Sequence, residues 1–166
     1  MNSDISLRPI TYDDTALIVK WRNQDDVRRR FFYREEFTEA THLEWMKTKV
    51  ESGEVVQFII VRSDGVAIGS TYLRDIDRVA GTAEYGVFIG DPSMRGHGVG
   101  KKALALTLDY ARDTLGLKRI ISRAMEDNIA SVNSFLHSGF RIDEHVSNVP
   151  CSNGELKDMV LMSTEI

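Results

Sequence analysis

The chain has 166 residues, 42% of them hydrophobic and 28% charged, which is enough apolar material for one domain with its own core. A formal charge of −4 argues against a surface built to neutralise a run of phosphates, so no nucleic-acid partner is expected and any basic site must be local. One cysteine, Cys151, rules out an intrachain disulfide, and the four histidines, His42, His97, His137 and His145, lack the short paired spacing of a metal site.

The opening residues 1–10 contain Asp4 and Arg8 and lack the continuous apolar stretch of a secretory leader. No segment approaches the roughly 20 apolar residues that cross a bilayer, so a cytoplasmic location without a membrane partner is expected. A first strand is predicted over Ser6 to Arg8. Thr11 followed by Asp14 forms a capping box that opens a helix toward Trp21, with Leu17, Ile18 and Trp21 at helical spacing. A second helix is predicted from near Thr38, presenting Leu43, Met46 and Val50 to the core and stopping at Ser52-Gly53. The period then changes. Val55 to Arg62 and Val66 to Leu73 read as strands joined by the hairpin turn Asp64-Gly65, and a polar connection leads to a third strand over Thr82 to Ile89. Val99 to Leu115 is the strongest helix, with Leu104, Leu108, Ala111 and Leu115 on one stripe and Gly116 to end it. Arg119 to Ala124 is a strand and Ala130 to Ser138 a short helix terminated by Gly139. Phe140 to Val149 and Leu156 to Ser163 close the chain around the turn residues 150–154. The order is βααβββαβαββ, an α/β (α+β) chain without repeat, linker or internal boundary, so residues 1–166 are expected to form a single domain.

The stretch from Thr82 through the long helix carries the chemistry. Gly96, Gly98 and Gly100 remove side chains from a loop that opens a strongly amphipathic helix, so backbone N–H groups can converge on an anion where the helix dipole also favours negative charge. Arg95, Lys101 and Lys102 add local positive charge. A P-loop would need four residues between its first glycine and a Gly-Lys-Ser/Thr end, and a dinucleotide fold would place its glycines after an early strand, so neither fits.

Arg95-Gly96-His97-Gly98-Val99-Gly100 matches the R/Q-x-x-G-x-G/A signature of the GNAT superfamily of N-acetyltransferases, and the chain resembles that family over nearly its whole length. Ala83-Glu84-Tyr85-Gly86, Glu126-Asp127-Asn128 and Ser138-Gly139-Phe140 extend the match. The resemblance implies a mixed sheet of about seven strands with four helices, and acetyl-CoA as co-substrate. It also implies that the strands Thr82 to Ile89 and Arg119 to Ala124 splay apart. The pantetheine arm would then pair with backbone at Val87, Phe88 and Ile89, the pyrophosphate would sit on Arg95, Gly96, His97, Gly98, Val99, Gly100 and Lys101, and Asn128 and Ser131 would meet the arm.

In the amino-terminal third, Trp21-Arg22-Asn23, Arg28, His42 and Trp45 resemble the subgroup that acetylates nucleotide-linked 4-amino sugars, including those of pseudaminic acid biosynthesis, and the related ribosomal-protein N-terminal acetyltransferases. An arginine such as Arg22 could pair with a phosphate while His42 or Trp45 packs on a ring, although tryptophans on helix stripes equally suit a core. The acceptor implied is an amino sugar carried on a nucleotide. A ribosomal amino terminus, a polyamine, an amino-acid-like amine, or a non-catalytic acyl-CoA sensor are the alternatives. A base is wanted for an attacking amine, and Glu84 comes first and Glu126 second, so Glu84→Gln is expected to lose turnover that partly recovers as pH rises. The family commonly has a tyrosine four residues before the glycine of the last helix to protonate the leaving thiolate. Here that residue is Phe135, which has no acidic proton to donate, so either Ser131 or water supplies it or the thiolate leaves unassisted. A monomer or homodimer is expected.

Overall fold

In the computed structural model, which describes residues 4–166, alternating branched and aromatic residues commit seven segments to strands. Met1 to Ser3, within the opening stretch expected to lack a secretory leader, lie outside the described residues. The strands are β1 (Ile5–Pro9), β2 (Val56–Arg62), β3 (Ala67–Asp77), β4 (Thr82–Ile89), β5 (Arg119–Met125), β6 (Arg141–Pro150) and β7 (Leu156–Glu165). They form one sheet in the order β1-β2-β3-β4-β5-β7-β6, antiparallel throughout except for the parallel pair β4–β5. The helices are α1 (Thr15–Arg22), the single turn α2 (Asp25–Arg28), α3 (Glu39–Trp45), α4 (Val99–Asp113) and α5 (Ile129–His137).

Both faces of the sheet are covered, because successive residues of β4 point to opposite sides. Tyr85 joins Leu104, Ala111, Ile120, Phe135 and Phe140 beneath α4 and α5. Phe88 joins Ile18, Trp21, Val27, Phe37 and Met46 beneath α1 to α3. The two clusters leave β4 as the strand that both helical layers share.

Three local readings change. β3 runs on to Asp77, into what was expected to be a polar connection, because Arg74 stands opposite Glu84 and Asp77 opposite Thr82. The turn α2 was not foreseen, since Asp25-Asp26-Val27-Arg28 is too short to show a period. The buried stripe of α3 is rotated by about one residue. Leu43 is exposed and His42 is buried instead, with Met46 buried as expected. Past Trp45 the helix widens, with the Glu51 N–H donating to the Met46 carbonyl at 2.8 Å.

His42 takes the inward place because it has a partner there, with Nδ1 3.0 Å from the Thr15 hydroxyl oxygen. Its Nε2 is buried with no partner. Burial pushes its pKa down to about 4, with Arg22 adding to the effect against the pull of Asp14. The folded value lies below the unfolded one of about 6.5, so the unfolded chain binds the proton first on acidification. The stabilisation from keeping His42 neutral is complete above about pH 6.5 and is lost between there and about pH 4. Urea unfolding at pH 7.5 and 4.5 should differ by on the order of 2 to 3 kcal/mol from this residue, and His42→Asn should flatten that slope. An undiminished slope in the variant would place the acid sensitivity elsewhere.

Candidate active site

The parallel ladder between β4 and β5 covers only Thr82↔Arg119, Ala83↔Ile120 and Glu84↔Ile121. Beyond it, β4 continues against β3 as far as Ile89↔Gly69, while β5 continues against β7 as far as Met125↔Met159. The two strands therefore part. The Ser122 hydroxyl, donating to the Tyr85 carbonyl at 3.1 Å, and the Arg123 guanidinium, donating to the Glu84 carboxylate, bridge the start of the gap. A cleft of about 970 Å³ occupies this opening and reaches both helical layers.

One end of the cleft is the amino terminus of α4. Gly96 and Gly98 both have φ of +77°, which a side-chain-bearing residue adopts only at a cost, and Gly98 caps the helix in that conformation. A Cβ placed on Gly96, Gly98 or Gly100 would meet nothing within 4 Å, so the glycines face open space. The first helical bond here runs from the Lys102 N–H to the Gly98 carbonyl at 3.1 Å. The N–H groups of Val99, Gly100 and Lys101 precede it and have no intrahelical acceptor, an arrangement chemically suited to an anion.

The expected co-substrate residues are largely brought together. Val87, Phe88, Ile89, Arg95, Gly96, Gly98, Val99, Gly100, Lys101, Asn128, Ser131 and Phe135 all line the cleft, while His97 is exposed and does not. Arg95 is a brace more than a free cation. Its guanidinium donates to the Ile89 carbonyl at 3.1 Å, the Asp26 carboxylate at 3.0 Å and the Gln24 side-chain oxygen at 3.1 Å, tying the loop to the end of β4 and the α1–α2 corner. Asn128 caps α5, its Oδ1 accepting from the Ser131 N–H. Phe135 is buried against Phe140 and the edge of Tyr85, with ring centroids 4.9 and 6.0 Å away, so it packs and donates nothing.

The proposed bases fare differently. Glu84 lines the cleft, but Arg74 Nη2 donates to its Oε1 at 3.0 Å, and Arg123 reaches both oxygens from Nε at 2.9 Å and Nη2 at 3.0 Å. Burial works to raise its pKa, yet the two guanidiniums outweigh that and hold the carboxyl below the usual range. A carboxylate so held is a poor proton acceptor, and this geometry counts against Glu84 as the base. Glu126 does not line the cleft. Its Oε1 lies 2.9 Å from Nδ1 of His145, and the side chain is 46% exposed, because β5 has by then turned toward β7.

Of the acceptor residues, Arg22, His42 and Trp45 line the cleft, whereas Trp21, Asn23 and Arg28 do not. Trp21 is 4% exposed and stands edge-on to Phe88 at 6.3 Å, so it is core. Asn23 clamps Phe37 by accepting from its N–H at 2.7 Å and donating to its carbonyl at 2.6 Å. Arg28 donates from Nε to the Arg34 carbonyl at 2.7 Å. These two shape the segment 29–37 that walls the cleft. Sequence reasoning missed Arg74, Arg123, Phe31 and Tyr72. Tyr72 lies across Gly86, where a Cβ would come 2.2 Å from its Cζ, so that glycine is needed for close approach. Register was the missing signal, because Arg74 and Tyr72 reach the site only by standing opposite Glu84 and Gly86.

Among the described residues no helix is long and apolar enough to cross a membrane, and no group of three or more His, Cys, Asp or Glu side chains could hold a metal ion.

Residues 4–141 match the acetyltransferase (GNAT) domain family. The chain is similar to an uncharacterized protein of Methanocaldococcus jannaschii, at 25% identity over 143 residues. That match covers 84% of this chain, which spans only 28% of the archaeal protein's length. It is also similar to the spermidine N(1)-acetyltransferase of Escherichia coli K12, at 22% identity over 158 residues, covering 95% of this chain and 84% of that one. Among solved structures, the spermidine N-acetyltransferase of Vibrio cholerae in complex with CoA and spermine superposes with a TM-score of 0.91 at 21% identity, over 99% of this chain and 96% of the other. A dodecameric structure of the Vibrio cholerae enzyme gives 0.83 at 21% identity, over 99% and 95%.

Proposed function

Because this chain belongs to the acetyltransferase (GNAT) family and carries its acetyl-CoA-dependent N-acetyltransferase domain, we propose that it acetylates the primary amine of a small molecule by direct attack in a ternary complex. The observation that carries this reading is the parting of β4 and β5 beside the bare amino terminus of α4. Acetyl-CoA supplies the activated thioester. The N–H groups of Val99, Gly100 and Lys101 hold the diphosphate, and the free edge of β4 from Val87 to Ile89 receives the pantetheine amides and faces the developing oxyanion. Asn128 and Ser131 meet the same arm from the start of α5.

The amine enters from the α1–α3 side, where Arg22, His42 and Trp45 stand. Glu84, ionised and fixed by two arginines, orients groups in the cleft, and the amine's proton leaves to water. The leaving thiolate takes its proton from the Ser131 hydroxyl or from water, since Phe135 has none to give.

The spermidine acetyltransferases among the relatives favour a polyamine over the nucleotide-linked amino sugar that the sequence suggested. The dodecameric relative widens the expected assembly from monomer or homodimer to higher oligomers, which sedimentation of the full chain reads out.

Thiol release from acetyl-CoA should accelerate on adding a primary amine, and a panel of spermidine, spermine, free amino acids, amino sugars and their nucleotides, and peptide amino termini ranks the acceptors. Tight CoA binding with no thiol release from any amine would instead favour the acyl-CoA sensor.

A further inference from the structure

Arg22 closes α1 with its guanidinium inside the acceptor end of the cleft. Its carbon Cζ stands 3.8 Å from the ring centroid of Phe31 and 4.5 Å from that of Phe37, so two aromatic rings desolvate it. Its Nε is buried and has no partner. Among the described residues no carboxylate lies within ion-pair distance of it. Burial pulls its pKa below the ordinary arginine value, Arg74 adding to the effect, against the opposing influence of Tyr72 and Tyr33. Cation–π contact compensates part of that cost. The residue as a whole is half-buried, and a partly desolvated guanidinium gains from an anion on its open side, which here is the cleft.

The surroundings leave that place to a ligand. Three carboxylates line the cleft. Asp26 is held by Arg95 and Arg29, and Glu84 by Arg74 and Arg123. Only Glu44, on the exposed side of α3, is without an ion pair. A polycation would therefore meet arginines where it needs carboxylates.

We infer that the acceptor carries an anionic group, a carboxylate or a phosphate, which the Arg22 guanidinium binds while the amine reaches the edge of β4. Arg22 lies close to β4, its Cζ 6.0 Å from the ring centroid of Phe88 on that strand. The inference rests on the acetyl-transfer reading and gives its acceptor a charge opposite to that of spermidine. Arg22 is thus a specificity-determining residue for this reaction, and its planar fork suits either oxyanion.

Matched pairs of amines test it: lysine against cadaverine for the carboxylate, and glucosamine against its phosphate ester for the phosphate. In the wild-type chain the anionic member of at least one pair should have a kcat/KM about tenfold or more above its neutral partner and above spermidine. It should also raise the melting temperature of the CoA-saturated protein. Arg22→Met should raise KM for that substrate by about 10- to 100-fold with a smaller effect on kcat, and should cost the neutral partner at least several-fold less. Arg22→Lys, which keeps the charge and loses the fork, should fall between, and it serves if the methionine variant folds poorly.

The proposal is overturned if neutral amines are acetylated as well as their anionic partners, if Arg22→Met costs both alike, or if no anionic amine protects the CoA-saturated protein. Failure of the wild-type chain to bind CoA at all would instead sink the acetyl-transfer reading.

Discussion

Gly98→Trp is expected to abolish coenzyme A binding while leaving the domain folded. The residue caps α4 at φ +77°, and the space into which its Cβ would project is open. An indole placed there fills the volume in which the diphosphate must meet the N–H groups of Val99 to Lys101. Arg95 does not stand in for those groups, because it is already engaged by Ile89, Gln24 and Asp26. The positive φ costs a side-chain-bearing residue about 1 to 2 kcal/mol, which a domain of this size tolerates. Titration calorimetry should register a loss of affinity of about a hundredfold or more. Gly98→Ala separates the two effects, since it meets the same backbone strain with little bulk and should bind more weakly by about tenfold or less. Wild-type affinity in a folded Gly98→Trp protein would remove the loop from the site.

Glu84→Gln is expected to lower kcat/KM by on the order of a hundredfold without restoring it at high pH. In the native chain one carboxylate neutralises Arg74 and Arg123 together, accepting three hydrogen bonds of 2.9 to 3.0 Å. Glutamine offers one acceptor oxygen and turns an N–H₂ toward a guanidinium, leaving a partly buried charge without a partner. The cost to stability should be about 2 kcal/mol, and the misplaced arginines should distort the cleft floor. Because the native carboxyl titrates below its usual range, its contribution is present above that range and is lost as pH falls through the lowered value. Nothing in it titrates near neutrality, so the acid limb of the pH–rate profile should survive the substitution. Recovery of turnover above about pH 8 in the glutamine variant would reinstate Glu84 as the base. Glu126→Gln, outside the cleft beside His145, should leave both the rate and its pH dependence as they are.

What is legible in the sequence is set by the range of the interactions involved. The glycine loop was legible because every part of it is local: glycines where φ is positive, a helix beginning immediately after, and a strand immediately before. The same holds for the capping box of Thr11 and Asp14, whose groups lie three residues apart. The acceptor residues divided because helix spacing alone cannot say which way a residue near the edge of a stripe will turn. Trp21 went to the core, Arg22 into the cleft and Asn23 onto the backbone of Phe37. His42 displaced Leu43 from the interior because the Thr15 hydroxyl, 27 positions earlier, was waiting for it.

By itself the sequence determined the order of the strands and longer helices, the family and the glycine loop that opens α4, since periodicity and positive φ are written into neighbouring residues. Only the tertiary structure decided the charge state of the site. Whether Glu84 is a free base or a bound counter-ion depends on Arg74 across one strand pair and Arg123 across another. Whether Arg22 is a solvated surface charge or a half-buried cation stacked on two rings depends on where Phe31 and Phe37 come to rest. Electrostatic character is set by distance and desolvation, and both come from register and packing between segments far apart in the chain.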